Sequence, residues 1–161
     1  MRWQEFQAEC PQLASVARER FARDQLGLLG TIRRDGSPRV SPCEIDFAGP
    51  DLLLGMMWRS RKALDLLRDP RITVHSVPVD KDNKDGDVKL TGLAVEVLDP
   101  DERKRFEDAI EARIQWHPTG DYHLFALDVR HAAMITFGEP DGMWVSRWRP
   151  GEPLRREQRP E

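Results

Sequence analysis

Short runs of strand-forming residues, each followed by a turn, constrain the fold of this chain more than any other feature. The segments LGLLGTIR and PRVSPCEIDF flank an Asp35-Gly36 pair, and Asp-Gly between apolar runs is a strong hairpin signal. Further segments of this kind begin at Leu52, Arg71, Val88, His123, His131 and Met143. About seven short strands with hairpin turns predict a mainly β fold, an antiparallel barrel or sandwich with a few short flanking helices. Pro38 and Pro42 predict an edge or bulged strand, because proline cannot donate a hydrogen bond to a sheet neighbour.

The chain divides into three regions. Apolar residues recur at helical spacing behind Pro11, so we expect residues 1–24 to form a helical segment that packs on the main domain. Residues 25–150 carry all the predicted strands, together with a covering helix that is capped by Asp99. Residues 151–161 are polar and predict a frayed tail.

Composition narrows the class of protein. The chain has 161 residues, a formal net charge of −3 and a pI near 5.9, which excludes nucleic-acid and membrane-surface binding by bulk positive charge. Its two cysteines, Cys10 and Cys43, lie far apart without ligand spacing, which favours a reducing compartment. The sequence shows neither an apolar leader nor a membrane span, so we expect a cytoplasmic protein without nucleic-acid or membrane partners.

The segment WRSRKALDLLRDP, residues 58–70, predicts a short helix whose charges oppose its dipole. Ser60 is a good N-cap, yet Arg61 and Lys62 occupy the first turn, where cations are disfavoured by about 0.3–1 kcal/mol each. One interpretation is a solvated surface on which either cation pairs with Asp65. The other is an anion pocket, in which free backbone N–H groups and the two cations bind a phosphate. The preceding Gly55 and two methionines would suit a flat ligand along the strand end.

Three segments resemble a known family when they are read in this order. GTIRRDGSPRVSP (30–42), LLLGMMWRSRKALDLLRDPRITVHSV (52–77) and VKLTGLAVEV (88–97) are similar to the pyridoxamine 5'-phosphate oxidase-like, FMN-binding split-barrel superfamily. The resemblance extends over roughly residues 25–150. It implies an antiparallel split β-barrel of Greek-key type, and an FMN-dependent oxidoreductase that acts on a small molecule.

The resemblance also implies a set of cofactor-binding residues. Ser60, Arg61 and Lys62 would hold the FMN phosphate. Backbone contacts from two strands would follow the ring and the ribityl chain, and a strand lysine would lie near the flavin or simply face outwards. The complete set is Arg39, which would help to hold the phosphate, with Val40, Ser41, Met56, Met57, Ser60, Arg61, Lys62 and Lys89.

Members of this superfamily are usually homodimers with the cofactor at the subunit interface, and we expect the same here. Trp148 and Arg149 would then either reach a partner's flavin or pack at a sheet edge. True pyridoxamine phosphate oxidases carry a substrate-binding lysine near the end of the second strand, and an Arg-x-His element near the C-terminus. This chain has Glu44 in the first place and VSRWRPG in the second, so we expect a different substrate.

Several alternatives stay open at this level. The superfamily includes deazaflavin-dependent reductases and haem-binding proteins, and the haem ligand would come from His75, His117, His123 or His131. No histidine has a partner at ligand spacing, which favours ordinary hydrogen-bonded histidines. Ser41 and Ser60 lack a nearby His-Asp arrangement, which argues against a hydrolase, while a flavin would supply the redox chemistry itself. The competing hypotheses are a non-catalytic flavin- or haem-binding protein and a structural dimer with a vestigial anion pocket.

Overall fold

The computed structural model describes residues 1–79, 86–138 and 142–159. Four helices lie within these ranges: α1 Trp3–Glu9, α2 Pro11–Asp24, α3 Arg61–Arg68 and α4 Pro100–Ile114. The first four strands are β1 Leu26–Ile32, β2 Pro38–Ala48, β3 Asp51–Met57 and β4 Arg71–His75. The remaining four are β5 Asp87–Glu96, β6 Tyr122–Phe137, β7 Met143–Trp148 and β8 Arg155–Arg159.

All eight strands belong to one antiparallel sheet in the order β3-β2-β1-β4-β5-β6-β7-β8. An additional pairing between β3 and β6 closes the first six strands into a barrel, and β7 and β8 extend the sheet beyond it. The arrangement β3-β2-β1-β4 is a Greek key, because the fourth strand returns to lie beside the first. The predicted antiparallel split β-barrel with a few short helices is confirmed.

The core fills the barrel because apolar residues alternate along the strands. Leu29, Val74 and Leu90 from three neighbouring strands are fully buried inside it. The N-terminal segment forms two helices rather than one, and both contribute buried aromatic rings, such as Phe6 and Phe21. These helices pack on the barrel.

The barrel is split along β2. Residues 45–48 of β2 pair with β3, whereas residues 38–44 pair only with β1 among the described strands, so that no described strand covers their other edge. Pro38 and Pro42 both lie in this free half, as their missing N–H groups predicted. The split leaves a gap between β2 and the end of β3, and this gap positions the candidate site.

The C-terminal tail forms a strand. The predicted frayed tail is not what the structure shows, because Arg155–Arg159 pairs with β7 as an exposed strand; an edge strand needs only backbone partners, which a polar sequence does not reveal.

The polar loop expected near residues 79–87 and the turn expected at 138–142 lie largely outside the described residues. Within the described ranges, no helix combines the length and the apolar character required to cross a membrane.

Candidate cofactor and substrate site

Helix α3 lies close to the end of the barrel beside β1 and β3. The chain leaves β3 through a tight turn in which the Ser60 N–H donates to the Met57 carbonyl at 3.1 Å, and Arg59 has a positive φ of 53°. Ala63 and Leu66 are buried against the core and fix the helix in place. The turn and the two buried contacts together determine where the first turn of α3 points.

Asp65 anchors the other side of α3. Its carboxylate is 4 % exposed and accepts hydrogen bonds from Thr31 Oγ1 at 3.1 Å and from Arg39 Nε at 2.6 Å. Arg68 adds a third contact at 3.3 Å. Burial alone would raise the pKa of Asp65, but these hydrogen bonds outweigh it and hold the pKa below its ordinary value. Asp65 therefore belongs to the barrel end and pairs with neither Arg61 nor Lys62.

The start of α3 has the features of a phosphate site. Ser60 Oγ is buried and has no hydrogen-bond partner among the described residues, and it does not cap the helix. Lys62 Nζ donates to the Pro42 carbonyl at 2.5 Å, and Arg61 is exposed without a carboxylate partner in the described part of the chain. The first N–H groups of α3 add positive potential. A hydroxyl, two cations and a helix start fit a phosphate dianion.

A cavity of about 470 Å³ opens beside this helix start, where β2 and β3 separate. Its walls come from the free edge of β2, the end of β3, helix α4 and the segment 116–122. We call it the aromatic cleft, after the four rings that line it: Trp58, Phe106, Trp116 and Tyr122. Its size is typical of small-molecule pockets, which span about 300–1,000 Å³.

Trp58 forms one wall of the aromatic cleft and is supported by a histidine. The Trp58 and His123 rings stack with their centroids 4.5 Å apart and an interplanar angle of 11°. His123 is 5 % exposed, and its Nδ1 lies 3.2 Å from Glu96 Oε1. His123 Nε2 is buried and has no partner among the described residues. The stack fixes one face of Trp58, whereas the indole as a whole stays 53 % exposed.

The thiol and the phenol of the aromatic cleft are poor nucleophiles and bases. Burial raises the pKa of the Cys43 thiol to about 11, and its Sγ donates to the Gly55 carbonyl at 3.3 Å. Burial and a hydrogen bond to Glu107 raise the pKa of Tyr122 to about 12. Both groups therefore stay protonated near neutral pH. The described residues include no cluster of three His, Cys, Asp or Glu side chains that could hold a metal ion.

The structure brings only some of the predicted residues together. Met56, Met57 and Lys62 line the aromatic cleft. Ser60 and Arg61 immediately precede Lys62 in the sequence. Met57 is 79 % exposed, whereas Met56 is 4 % exposed and belongs mainly to the core.

The predicted residues of β2 and β5 have different surroundings. Val40 is 72 % exposed on the outer face of β2, Ser41 Oγ is buried without a described partner, and Arg39 is bound to Asp65. Lys89 lies three strands away from β2 in register, about 14 Å at the usual strand spacing. Lys89 therefore does not join the other predicted residues.

Sequence reasoning missed most of the aromatic cleft. Phe106 comes from α4 and Trp116 from the segment after it, about fifty residues beyond the motif at α3. No local pattern links these positions, because the β3–β6 pairing that brings them close is non-local. Trp148 is 2 % exposed and packs against Phe6 with ring centroids 4.8 Å apart, so its indole is not free to reach a partner.

Comparisons with known proteins agree with this architecture. The family model described as pyridoxamine 5'-phosphate oxidase matches residues 13–136. A comparison with curated protein sequences gives no match.

Solved structures give the same fold at low sequence identity. A haem-binding protein from Mycobacterium smegmatis matches with a TM-score of 0.64 and 19 % identity, over 92 % of this chain and 58 % of its own. The chain thus spans little more than half of that protein. A pyridoxamine 5'-phosphate oxidase-related, FMN-binding protein from Nostoc punctiforme matches with a TM-score of 0.63 and 15 % identity, over 94 % of this chain and 96 % of its own. A NimC/NimA family protein from Clostridium acetobutylicum matches with a TM-score of 0.62 and 12 % identity, over 94 % of this chain and 96 % of its own. Because the family model covers more than half of its residues, the chain belongs to the pyridoxamine 5'-phosphate oxidase family.

Proposed function

We propose that this protein binds FMN with the phosphate at the start of α3, and that it is a flavin-dependent oxidoreductase acting on a small molecule. The observation that carries the proposal is the buried Ser60 hydroxyl beside Arg61 and Lys62, which has no hydrogen-bond partner among the residues that the structure describes. An unsatisfied buried hydroxyl is costly, and cations at a helix start are disfavoured, unless an anion binds there. A phosphate dianion would remove both penalties.

The surroundings of α3 suit the rest of the cofactor. Val40 and Met57 expose large apolar side chains on either side of the split, and a planar ring would cover them. The free edge of β2 offers unpaired backbone groups to polar atoms of a ring or a ribityl chain. The FMN-binding relative from Nostoc punctiforme, which shares the fold, supports this choice of cofactor.

We assign to the residues of the site roles in binding the cofactor rather than in proton transfer. Arg61, Lys62 and Ser60 would hold the phosphate, while Asp65 and Arg39 fix the helix that carries them. A bound flavin supplies hydride or electron transfer by its own chemistry. The protein's contribution is position and exclusion of water, which agrees with the high thiol and phenol pKa values in the aromatic cleft.

Two further parts of the proposal concern assembly and location. We expect a homodimer whose interface is formed by the outer face of β1, β4 and β5, and we expect the cofactor to lie at this interface. Gly30, Thr73 and Thr91 lie side by side in register there and carry no charge, which allows another subunit to approach closely. We also expect a cytoplasmic protein, from its two unpaired cysteines.

The alternative cofactors are a deazaflavin and haem. A deazaflavin with a phosphorylated side chain would use the same helix start, so the geometry supports both flavins. Haem is supported by the relative from Mycobacterium smegmatis. Two of the four candidate histidines fit it less well, because His75 Nδ1 and Nε2 both have partners and Trp58 stacks on the His123 ring.

The test begins with the visible absorbance spectrum of the freshly purified protein, followed by titration with FMN, with a deazaflavin and with haem. We expect a flavin spectrum or saturable FMN binding, then reduction of the bound flavin by NAD(P)H or by a reduced deazaflavin and reoxidation by an added acceptor. Binding without any turnover would support the non-catalytic alternative. Failure of all three cofactors to bind would overturn the proposal.

A further inference from the structure

The walls of the aromatic cleft indicate which substrates the site accepts. We propose that the aromatic cleft selects planar aromatic substrates without negative charge, and that these stack on the open face of Trp58. The assignment of this ligand as a substrate rests on the proposed function, but its binding to the cleft does not. The inference stands on three features: the support behind Trp58, the other rings, and the charges that remain in the cleft.

Trp58 is a stacking surface fixed in advance. His123 covers one face of the indole at 4.5 Å, and Glu96 holds His123 through its Nδ1. Trp58 itself lines the aromatic cleft and stays 53 % exposed. A ring that stacks on this surface displaces water from apolar area without first having to order the side chain. His123 is therefore a positioning residue that acts through Trp58.

The remaining walls extend the flat apolar surface. Trp116 is 52 % exposed and faces the same cavity as Tyr122 and Met57. An exposed tryptophan, methionine and second tryptophan around one opening are typical of a ligand site rather than of ordinary surface. Phe106 closes the cleft next to Gly55, where a Cβ atom would lie only 2.6 Å from the ring. These rings thus add apolar surface on which a planar guest can pack.

The charges in the cleft disfavour anions. Lys62 already donates to the Pro42 carbonyl, and in the proposed function it also binds the cofactor phosphate. The other charged side chains of the lining are Glu44 and Asp121. Glu44 is 52 % exposed, and its one ion-pair contact within the described part of the chain is a long one of 3.9 Å to Arg113. A carboxylate or phosphate on the substrate would therefore meet a lining in which two acids outnumber the single lysine.

Three matched bicyclic probes test the inference: quinoline, N-methylquinolinium and quinoline-2-carboxylate. Each is titrated into the protein with and without FMN, and binding is followed by calorimetry and by quenching of tryptophan fluorescence. We expect quinoline and N-methylquinolinium to bind saturably and the carboxylate to bind at least tenfold more weakly. FMN binding is measured separately in the same samples. If FMN fails to bind while the probes bind as expected, the proposed function falls and the cleft inference stands.

Variants locate the probe. Trp58→Leu should weaken quinoline binding at least tenfold, whereas Trp144→Leu, which removes a tryptophan on β7 outside the cleft, should leave it unchanged. Thermal unfolding of both variants verifies that they fold. Glu44→Gln combined with Asp121→Asn should reduce the discrimination against the carboxylate to less than threefold while the fold is kept.

His123→Ala tests the positioning role. Quinoline binding should weaken, and the tryptophan fluorescence should change in the variant as well, because Trp58 loses its stacked partner. Equal binding of all three probes, or equal quinoline affinity in Trp58→Leu and the parent protein, would overturn the inference.

Discussion

Asp65 shows how one buried carboxylate keeps the cations of α3 available. Its carboxylate accepts hydrogen bonds from Arg39, Thr31 and Arg68 at the barrel end. Arg61 is therefore left without a carboxylate partner among the described residues. The sequence predicted the helix and its unusual charges, because both are local patterns. It could not predict that Asp65 turns inwards, since that depends on Thr31 and Arg39 from distant strands.

Removal of the Asp65 charge should destabilise the protein. We expect Asp65→Asn to lower the free energy of unfolding by about 2–3 kcal/mol at neutral pH, because hydrogen bonds to a charged group are lost in a buried place. The control is Asp69→Asn, which removes an exposed pair with Arg71 and should change stability much less. Urea unfolding measures both, and equal effects of the two substitutions would contradict the account.

The same carboxylate predicts a pH dependence. The folded-state pKa of Asp65 is below its ordinary value, so its contribution to stability is complete above about pH 4 and is lost as the pH falls towards the folded-state pKa. Parent protein and Asp65→Asn should therefore converge in stability under acid conditions. A difference between their unfolding free energies that stays constant from neutral pH to about pH 2 would show that Asp65 does not titrate in this way.

The two cysteines should be inert in the folded protein. Cys10 and Cys43 are 2 % and 3 % exposed, and burial raises the pKa of both thiols. At about pH 8 neither thiol is ionised or accessible, so a chromogenic disulfide reagent should label both only after unfolding. Rapid labelling of one thiol in the native protein would contradict the described burial.

At the scale of elements, Gly55 and Phe106 set the distance between β3 and α4. A Cβ atom at position 55 would lie 2.6 Å from Phe106 Cζ, so Gly55→Ala should push α4 outwards and cost about 1–3 kcal/mol. Gly120→Ala is the control, because a Cβ atom there meets open space. Phe106→Leu should relieve the clash, with a coupling of at least about 1 kcal/mol in the double-mutant cycle. Additive effects of the two substitutions would show that the contact does not set the spacing.

Whether an element can be predicted from the sequence depends on how far apart its interacting residues lie along the chain. The β1–β2 hairpin was predicted because Asp35-Gly36 and its flanking apolar runs are adjacent in sequence. Strand β8 was missed because its exposed polar residues bury nothing and gain only backbone pairing with β7. The aromatic cleft was missed because it combines β2, β3, α4 and the segment 116–122, whose proximity only the closed barrel creates.

At the scale of the whole molecule, the proposed homodimer links assembly to cofactor binding. Sedimentation equilibrium should give twice the chain mass of 18.6 kDa. Thr73→Arg places a charge among the small residues of the outer face and should give monomers that bind FMN more weakly, because the cofactor then lacks its second subunit. The control is Ser15→Arg on the exposed side of α2. A monomeric parent protein that binds FMN with full affinity would contradict the dimer.

The central claim is that a phosphate binds at the start of α3, and calorimetric titration with FMN and with riboflavin, which lacks the phosphate, tests it most directly. The parent protein should bind FMN about 100-fold more tightly than riboflavin, since charge-assisted hydrogen bonds contribute about 1.5–3 kcal/mol each. Arg61→Ala combined with Lys62→Ala should abolish this preference. Lys104→Ala combined with Arg105→Ala, the same loss of charge on α4, should keep it. Equal affinity of the parent protein for FMN and riboflavin would contradict the claim.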